Sequence, residues 1–189
     1  GPANLIANMY LSLRSLLVAS SLLCLLPASS AQSRHGATTL HPSYNGLVMA
    51  GYQGWFRAEG DSSGEGWVHY GRNRKFDPES VTIDFWPDVS EYETTYPTSF
   101  INPDGTAARV FSSFDRSTTE LHFRWMKDYG VDGVFMQRFF GVTRGYKKSD
   151  KSQDKILRHA LAAAKANGRA VAVMYDLSGL KATGEDCSS

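Results

Sequence analysis

The sequence has little cysteine, and this excludes two common ways of stabilising a small protein. Cys24 and Cys187 are its only cysteines, and neither belongs to a C-x-x-C or Cys/His cluster. A disulfide framework needs several paired cysteines, and a structural zinc site needs four closely spaced ligands. We therefore expect a packed core to stabilise the chain.

An excess of charge of one sign is also missing. The chain has 20 lysines and arginines against 19 aspartates and glutamates, which gives a formal net charge of +1. Proteins that bind nucleic acid attract its phosphates with a strong basic field, so we expect no nucleic acid partner. The contents of 42% hydrophobic and 12% aromatic residues are typical of an ordinary folded domain.

Several motifs that bind cofactors or activate nucleophiles are absent. The chain contains neither G-x-G-x-x-G nor G-x-x-x-x-G-K-[ST], the loops that bind nucleotide phosphates. Its serines have no G-x-S-x-G context, and His69 has no second histidine at metal-ligand spacing. We therefore expect no cofactor and no metal.

The N-terminus has the layout of a secretory signal peptide. Arg14 precedes an uncharged apolar stretch over residues 15–26, and Ser29 and Ala31 fit the small-residue positions before a cleavage site. The apolar stretch is shorter than the ~20 residues of a membrane span. We expect a secreted or periplasmic protein with no membrane span after cleavage; the alternatives are an uncleaved anchor helix and a lipoprotein attached at Cys24.

The chain divides into three parts. Residues 1–31 comprise upstream residues and the signal peptide, residues 32–45 form a polar linker, and residues 46–189 form the domain. Apolar and β-branched runs in the domain predict strands at 47–52, 81–86, 131–137 and 170–175.

Between these strands the sequence predicts a hairpin and two helices. Asn102-Pro103-Asp104-Gly105 is a turn signal that predicts a hairpin over 94–113. Helical spacing predicts helices over 117–129, with a capping box at 117–120, and over 153–167. The alternation of helix and strand is typical of a parallel sheet, with the last strand buried on both faces. Four strands make either an open sheet or half of an eight-stranded barrel.

Aromatic residues concentrate in the glycine-rich loops after the first two predicted strands. Three of the four tryptophans lie there, namely Trp55, Trp67 and Trp86, and Tyr52 and His69 lie nearby. Aromatic faces beside hydrogen-bonding groups suit sugar rings. The alternative is that these rings fill the core beneath long loops.

Polar side chains lie where the predicted strands end. These residues are Gln53, Asp84, Gln137, Arg138 and Asp176. In parallel α/β folds the carboxyl ends of the strands carry the chemistry.

The carboxylates near the second predicted strand raise a question of mechanism. Glycoside hydrolysis uses two carboxyl groups, and Asp84, Asp88 and Glu91 are close in sequence. Such acids also cap loops or pair with arginines, which is the alternative.

Five segments together resemble a known family. They are GYQGWF (51–56), GWVHYG (66–71), DFWPDVSEY (84–92), DGVFMQRFFG (132–141) and AVMYDLSGL (172–180). They resemble the N-terminal half of the glycoside hydrolase family 71/99-like proteins, which include bacterial endo-α-mannosidases and sequences labelled xylosidase/arabinosidase. The resemblance implies a partial (β/α)8 TIM barrel of about the first four strands, in a secreted or periplasmic protein that acts on extracellular glycans.

The resemblance also implies site residues. Matching positions imply a substrate-binding role for Tyr52, Trp55, His69, Asp84, Gln137, Arg138 and Asp176, and the tryptophan cluster adds Trp67 and Trp86. The family's catalytic glutamates form an E-x-x-E pair in the second half of the barrel. Asp88 and Glu91 have that spacing but follow the second strand, so we expect the catalytic pair to lie beyond Ser189.

These observations favour a secreted glycoside hydrolase-like protein whose substrate is an extracellular poly- or oligosaccharide. The chain is expected to stop before its catalytic glutamates and to be inactive alone. A non-catalytic glycan-binding protein that uses its aromatic loops is the main alternative, and an open-sheet α/β enzyme complete in this chain is another.

Overall fold

Two small sheets organise the chain, which a computed structural model describes over residues 40–139 and 148–178. The predicted signal peptide, both cysteines and residues 32–39 of the predicted linker lie outside these ranges. The strands are β1 (Met49–Tyr52), β2 (Tyr96–Ile101), β3 (Ala107–Val110), β4 (Gly133–Phe139) and β5 (Ala170–Asp176), and the helices are α1 (Arg116–Asp128) and α2 (Lys148–Asn167).

The first sheet is parallel and has the order β1–β4–β5, with both helices on one face. Val134 and Met136 of β4 are fully buried there against Phe123 of α1 and Ile156 of α2. Burying each such side chain contributes roughly 1.5–3 kcal/mol. Gly133 allows the close approach of β4 and β5, because a Cβ atom there would lie 2.2 Å from the carbonyl oxygen of Ala170.

The second sheet is the antiparallel pair β2–β3, which confirms the predicted hairpin. Its turn is closed by the Gly105 amide, which donates to the carbonyl of Asn102 at 2.9 Å. An aromatic core lies beneath the hairpin and the long loop before it, with Trp67, Tyr70 and Phe76 buried together. The Tyr70 hydroxyl donates to the carbonyl of Phe111 at 2.8 Å, so this buried phenol is satisfied.

Both predicted helices are confirmed, but the predicted capping box is wrong. The N-cap of α1 is Asp115, whose own side chain makes no capping hydrogen bond. The Asp115 carboxylate instead accepts hydrogen bonds from the Tyr96 hydroxyl at 2.9 and 3.0 Å. The helix ends fit the prediction, because Gly130 and Gly168 follow them with φ of 78° and 63°.

The predicted strand over residues 81–86 is wrong. Among the described residues, Val81 alone of this run pairs with another strand segment, in an isolated bridge to Gly71. A ladder cannot continue beyond Gly71, because His69 has a φ of 62° and leaves the extended conformation. Phe85 is 89% exposed. This run has the composition of a strand, but in the part of the chain that the structure describes it lacks a neighbouring strand with which to form a ladder.

The predicted partial TIM barrel of four strands is wrong as well. Met49 pairs with Gly133 and Tyr52 pairs with Met136, so β1 lies directly beside β4. This pairing leaves no place for a strand from residues 81–86 between them. In the described residues the parallel sheet has three strands, and the hairpin forms a separate two-stranded sheet.

The last strand also differs from its prediction. β5 begins buried at Ala170, but Val173, Met174 and Tyr175 are 44%, 40% and 61% exposed. It is an edge strand of the described sheet and is not covered on both faces. Within the described ranges, neither helix has the apolar length that a membrane crossing requires.

Candidate functional site

Three polar side chains meet at the carboxyl ends of the parallel strands. Gln53 follows β1, Gln137 lies on β4 and Asp176 ends β5. The Gln53 side-chain amide donates to Gln137 Oε1 at 3.1 Å, and the Gln137 amide donates to the Asp176 carboxylate. These residues form the strand-end row. Because a carboxylate only accepts hydrogen bonds, the row fixes the orientation of the Gln137 amide.

Asp176 gives the strand-end row a negative charge. The Ser178 amide donates to Asp176 Oδ1 at 2.7 Å. Hydrogen bonds from Ser178, with a smaller contribution from Gln137, hold the pKa of Asp176 below its usual value. The carboxylate is therefore ionised at neutral pH and can accept hydrogen bonds from a ligand.

An aromatic stack adjoins the row. The half-buried Trp55 ring lies nearly parallel to His69, with centroids 4.1 Å apart and planes at 22°. Phe139 at the end of β4 is also nearly parallel to Trp55, at 6.1 Å and 7°. Trp55, His69 and Phe139 form the aromatic stack, and Trp55 is only two residues from Gln53.

A glycine turn places Trp55 beside the row. Gly54 has a φ of 59°, and a Cβ atom there would lie 2.7 Å from Ile156 Cγ2. Any other residue would strain the backbone and push against α2. The sequence Gln53-Gly54-Trp55 therefore turns sharply between the strand-end row and the aromatic stack.

His69 is held in a strained conformation. Its φ of 62° lies in the left-handed region, which costs a non-glycine residue roughly 1–3 kcal/mol. The Thr82 hydroxyl donates to the His69 carbonyl at 2.9 Å and supports this conformation. Packing around the ring lowers the pKa of His69, and the charge of Arg57 lowers it further. The imidazole ring is therefore uncharged at neutral pH when it stacks on Trp55.

A cavity of about 150 Å³ lies next to these groups. Its lining includes Tyr52, Gln53, Trp55, Ser113 and His122. These side chains offer amide, hydroxyl and imidazole groups between aromatic walls. Such a cavity suits an uncharged hydrogen-bonding group.

A histidine bridge forms one wall of this cavity. His122 of α1 hydrogen-bonds the Tyr52 hydroxyl through Nδ1 at 3.0 Å and the Tyr92 hydroxyl through Nε2 at 2.7 Å. Burial lowers the pKa of His122 to about 4 and raises the pKa of Tyr52 to about 12. Since a neutral imidazole donates through one nitrogen and accepts through the other, one tyrosine donates and the other accepts.

Five of the nine predicted substrate-binding residues surround this edge of the sheet. They are Tyr52, Trp55, His69, Gln137 and Asp176.

The other four residues lie elsewhere. Arg138 is buried on the helix-facing side of β4, where it forms an ion pair of 2.6 Å with Asp154. Trp67 is buried in the aromatic core, and Asp84 is exposed in the loop before Phe85. Trp86 packs on Phe76 of the same aromatic core and on Phe100, and it is not part of the aromatic stack.

The carboxylates after the second predicted strand bind groups of their own chain. Asp88 accepts a hydrogen bond from the Ser90 amide at 2.9 Å. Glu91 accepts one from Trp125 Nε1 at 3.1 Å and lies 3.7 Å from Arg124. In the described part of the chain, no group of three or more His, Cys, Asp or Glu side chains could hold a metal ion.

Sequence reasoning missed His122, Tyr92 and Phe139. A signal for His122 was present, because it lies three residues before Trp125 and four before Met126, on the apolar stripe of α1. A polar residue on such a stripe must find partners in the interior. Tyr92 and Phe139 had no comparable signal, since their contacts come from distant segments.

Comparison with known proteins gives no match. No protein-family model, no curated protein and no solved structure matches this chain. The chemistry of the strand-end row and the aromatic stack is therefore the basis for a function.

Proposed function

We propose that this chain belongs to a secreted or periplasmic glycoside hydrolase-like protein that binds an extracellular poly- or oligosaccharide at the carboxyl ends of β1, β4 and β5. The observation that supports this proposal is the position of the strand-end row beside the aromatic stack. A sugar ring offers an apolar C–H face and several hydroxyls, and these two groups of side chains match both.

The proposed binding mode assigns a role to each group. The C–H face of a sugar packs on the part of the half-buried Trp55 indole that stays exposed beside His69 and Phe139. Hydroxyl groups donate to the Asp176 carboxylate and exchange hydrogen bonds with the amides of Gln53 and Gln137. The 150 Å³ cavity beside Tyr52 takes a further polar substituent of the sugar.

Hydrolysis requires more than the strand-end row. Two carboxyl groups must flank the glycosidic bond, about 5 Å apart for retention or ~6.5–9.5 Å apart for inversion. The row contains one carboxylate, Asp176, and two amides. This composition favours a second candidate function, binding of the glycan without hydrolysis, unless a second carboxyl group lies at the same edge.

The experiment is a glycan array probed with the full chain and its variants. Trp55→Ala and Gln137→Leu are expected to abolish binding to the glycans that the unchanged chain retains. Asp128→Asn is the matched control, because this exposed carboxylate is the last residue of α1 and contacts neither group. Equal binding by all four proteins would remove the proposed site. Hydrolysis of a bound glycan would separate the first candidate function from the second.

A further inference from the structure

A second aromatic group lies beside an open groove. Residues 86–90 and the β2–β3 hairpin enclose a volume of about 580 Å³, the hairpin groove. Its lining includes Trp86, Asp88, Ser90, Asn102, Thr106 and Arg109. The hairpin groove shares no residue with the strand-end row or the aromatic stack.

Trp86 is held rigidly at this groove. Its Nε1 donates to the carbonyl of Arg109 at 2.9 Å, which fixes the indole to β3. The ring lies nearly parallel to Phe76, at 5.6 Å and 17°, and meets Phe100 edge-on at 5.3 Å. It is still 41% exposed. A large aromatic surface that needs no further ordering loses little conformational entropy when a ligand binds.

The charged groups of the hairpin groove already have partners in the chain. The Arg109 guanidinium donates to both the hydroxyl and the carbonyl of Thr95. Asp88 accepts a hydrogen bond from the Ser90 amide, which lowers the pKa of its carboxyl group. One cation and one anion therefore lie at fixed positions, and neither sign dominates. This balance favours an uncharged ligand over a phosphate, a uronate or a basic peptide.

The rest of the polar lining is uncharged. The Asn102 side-chain amide donates to the Thr106 hydroxyl at 3.1 Å, so both groups are oriented at the mouth of the hairpin groove. Hydroxyl and amide groups around an exposed indole are complementary to a pyranose ring, which offers a C–H face bordered by hydroxyls. A protein partner would be expected to cover an apolar patch with few exposed polar groups at its centre.

We propose that the hairpin groove is a second carbohydrate-binding site, which holds one ring of an uncharged polysaccharide against Trp86. The choice of a polysaccharide as the ligand rests on the proposed function, whereas the position of the site does not. Two contacts on one polymer strengthen binding through effective concentration. The protein should therefore prefer long glycans to short ones.

The test compares a polymer with its own fragments. The full chain is run in native gels that contain soluble mannan, xylan or laminarin, and is titrated calorimetrically with tetrasaccharides from the same polymers. Trp86→Ala is expected to weaken retention by the polymer about tenfold, since one of two linked contacts is lost, and to leave tetrasaccharide binding unchanged. Asn102→Ala, at an exposed turn, provides a second variant that does not disturb the aromatic core.

Matched variants make the result decisive. Phe85→Ala is the control, because Phe85 is 89% exposed and does not line the hairpin groove. Wild-type retention by both Trp86→Ala and Asn102→Ala overturns the proposal, as does an equal loss with Phe85→Ala or the absence of retention by any polymer. If polymer retention is lost with Trp86→Ala but not with Gln137→Leu, the result supports carbohydrate binding at the hairpin groove and contradicts the proposed function of the strand-end row. The reverse pattern overturns the hairpin groove alone.

Discussion

The parallel-sheet region and the hairpin region have different kinds of core. The first packs mostly aliphatic and small side chains between regular elements, with Ala160, Ala163 and Ala164 of α2 in the same core as Val134 and Met136 of β4. The second packs aromatic rings beneath loops, with Trp67, Tyr70 and Phe76 in contact. Regular periodicity produces the first core, whereas large rings hold the second together without much secondary structure. Partly exposed tryptophans border the two regions, Trp55 the first and Trp86 the second.

The histidine bridge is where the two regions meet. Tyr52 belongs to β1 and His122 to α1, whereas Tyr92 belongs to the loop before the hairpin. The bridge also borders the cavity of the candidate site. A substitution at the bridge should therefore destabilise both regions, whereas a substitution within one core should mainly destabilise the region that contains it.

The largest effect is expected in the sheet core. Phe123 is fully buried between α1 and β4, so Phe123→Ala should lower the free energy of unfolding by roughly 3–5 kcal/mol. Urea denaturation followed by circular dichroism measures this loss. Phe85→Ala, at an 89% exposed position, should change stability by less than about 0.5 kcal/mol. Similar midpoints for the two variants would contradict the assignment of the core.

The next effect tests the bridge through pH. The pKa of His122 is 6.5 in the unfolded chain and about 4 in the fold. Below pH 6.5 the unfolded chain binds a proton at His122 that the folded chain does not bind, so protonation favours unfolding. The stability that the neutral His122 provides is therefore fully present above pH 6.5. That contribution falls as the pH decreases from 6.5 to 4, by about 3 kcal/mol in total.

Urea denaturation at pH 7 and pH 4.5 measures this pH dependence. His122→Gln should remove most of it, since glutamine does not titrate. His159→Gln is the matched control on α2, where burial also lowers the pKa of the histidine but, in the described part of the chain, no tyrosine bridges to it. A pH dependence that survives His122→Gln and disappears in His159→Gln would refute the role of the bridge.

A smaller effect separates strain from stacking at His69. His69→Gly relieves the left-handed backbone conformation, so this variant should be more stable than His69→Ala by about 1 kcal/mol. It also removes the ring that stacks on Trp55, so glycan binding should weaken. His69→Ala removes the ring but keeps the strain. Thermal denaturation of the two variants measures the strain, and glycan titration tests the ring. Equal stability of His69→Gly and His69→Ala would contradict the strain, and unchanged glycan affinity in both would contradict the role of the ring.

The sequence predicted the sheet region better than the hairpin region, for a physical reason. The runs at Gly133–Phe139 and Ala170–Asp176 and the pattern of α2 follow regular periods that a single segment reveals. The run at 81–86 has the composition of a strand, but a strand also needs a neighbour, and β1 pairs with β4 instead. Pairing between distant segments determined the fold class, and local composition carries little information about it.

The candidate site shows the same limit. Gln137 and Asp176 could be placed at one edge because both lie at the ends of predicted parallel strands. Arg138 adjoins Gln137 in sequence, yet strand alternation directs it to the helices and to Asp154. The separation of Trp86 from Trp55 depends on tertiary packing and was not visible in their shared glycine-rich context.

Isothermal titration calorimetry decides whether the strand-end row and Trp55 together bind a neutral sugar. The full chain is titrated with a neutral tetrasaccharide selected on the glycan array, beside Trp55→Ala, Asp176→Asn and the control Asp128→Asn. We expect Trp55→Ala and Asp176→Asn each to weaken binding at least tenfold, about 1.4 kcal/mol, and Asp128→Asn to bind with the affinity of the unchanged chain. Unchanged affinity in both Trp55→Ala and Asp176→Asn would show that the sugar does not bind at the strand-end row and Trp55.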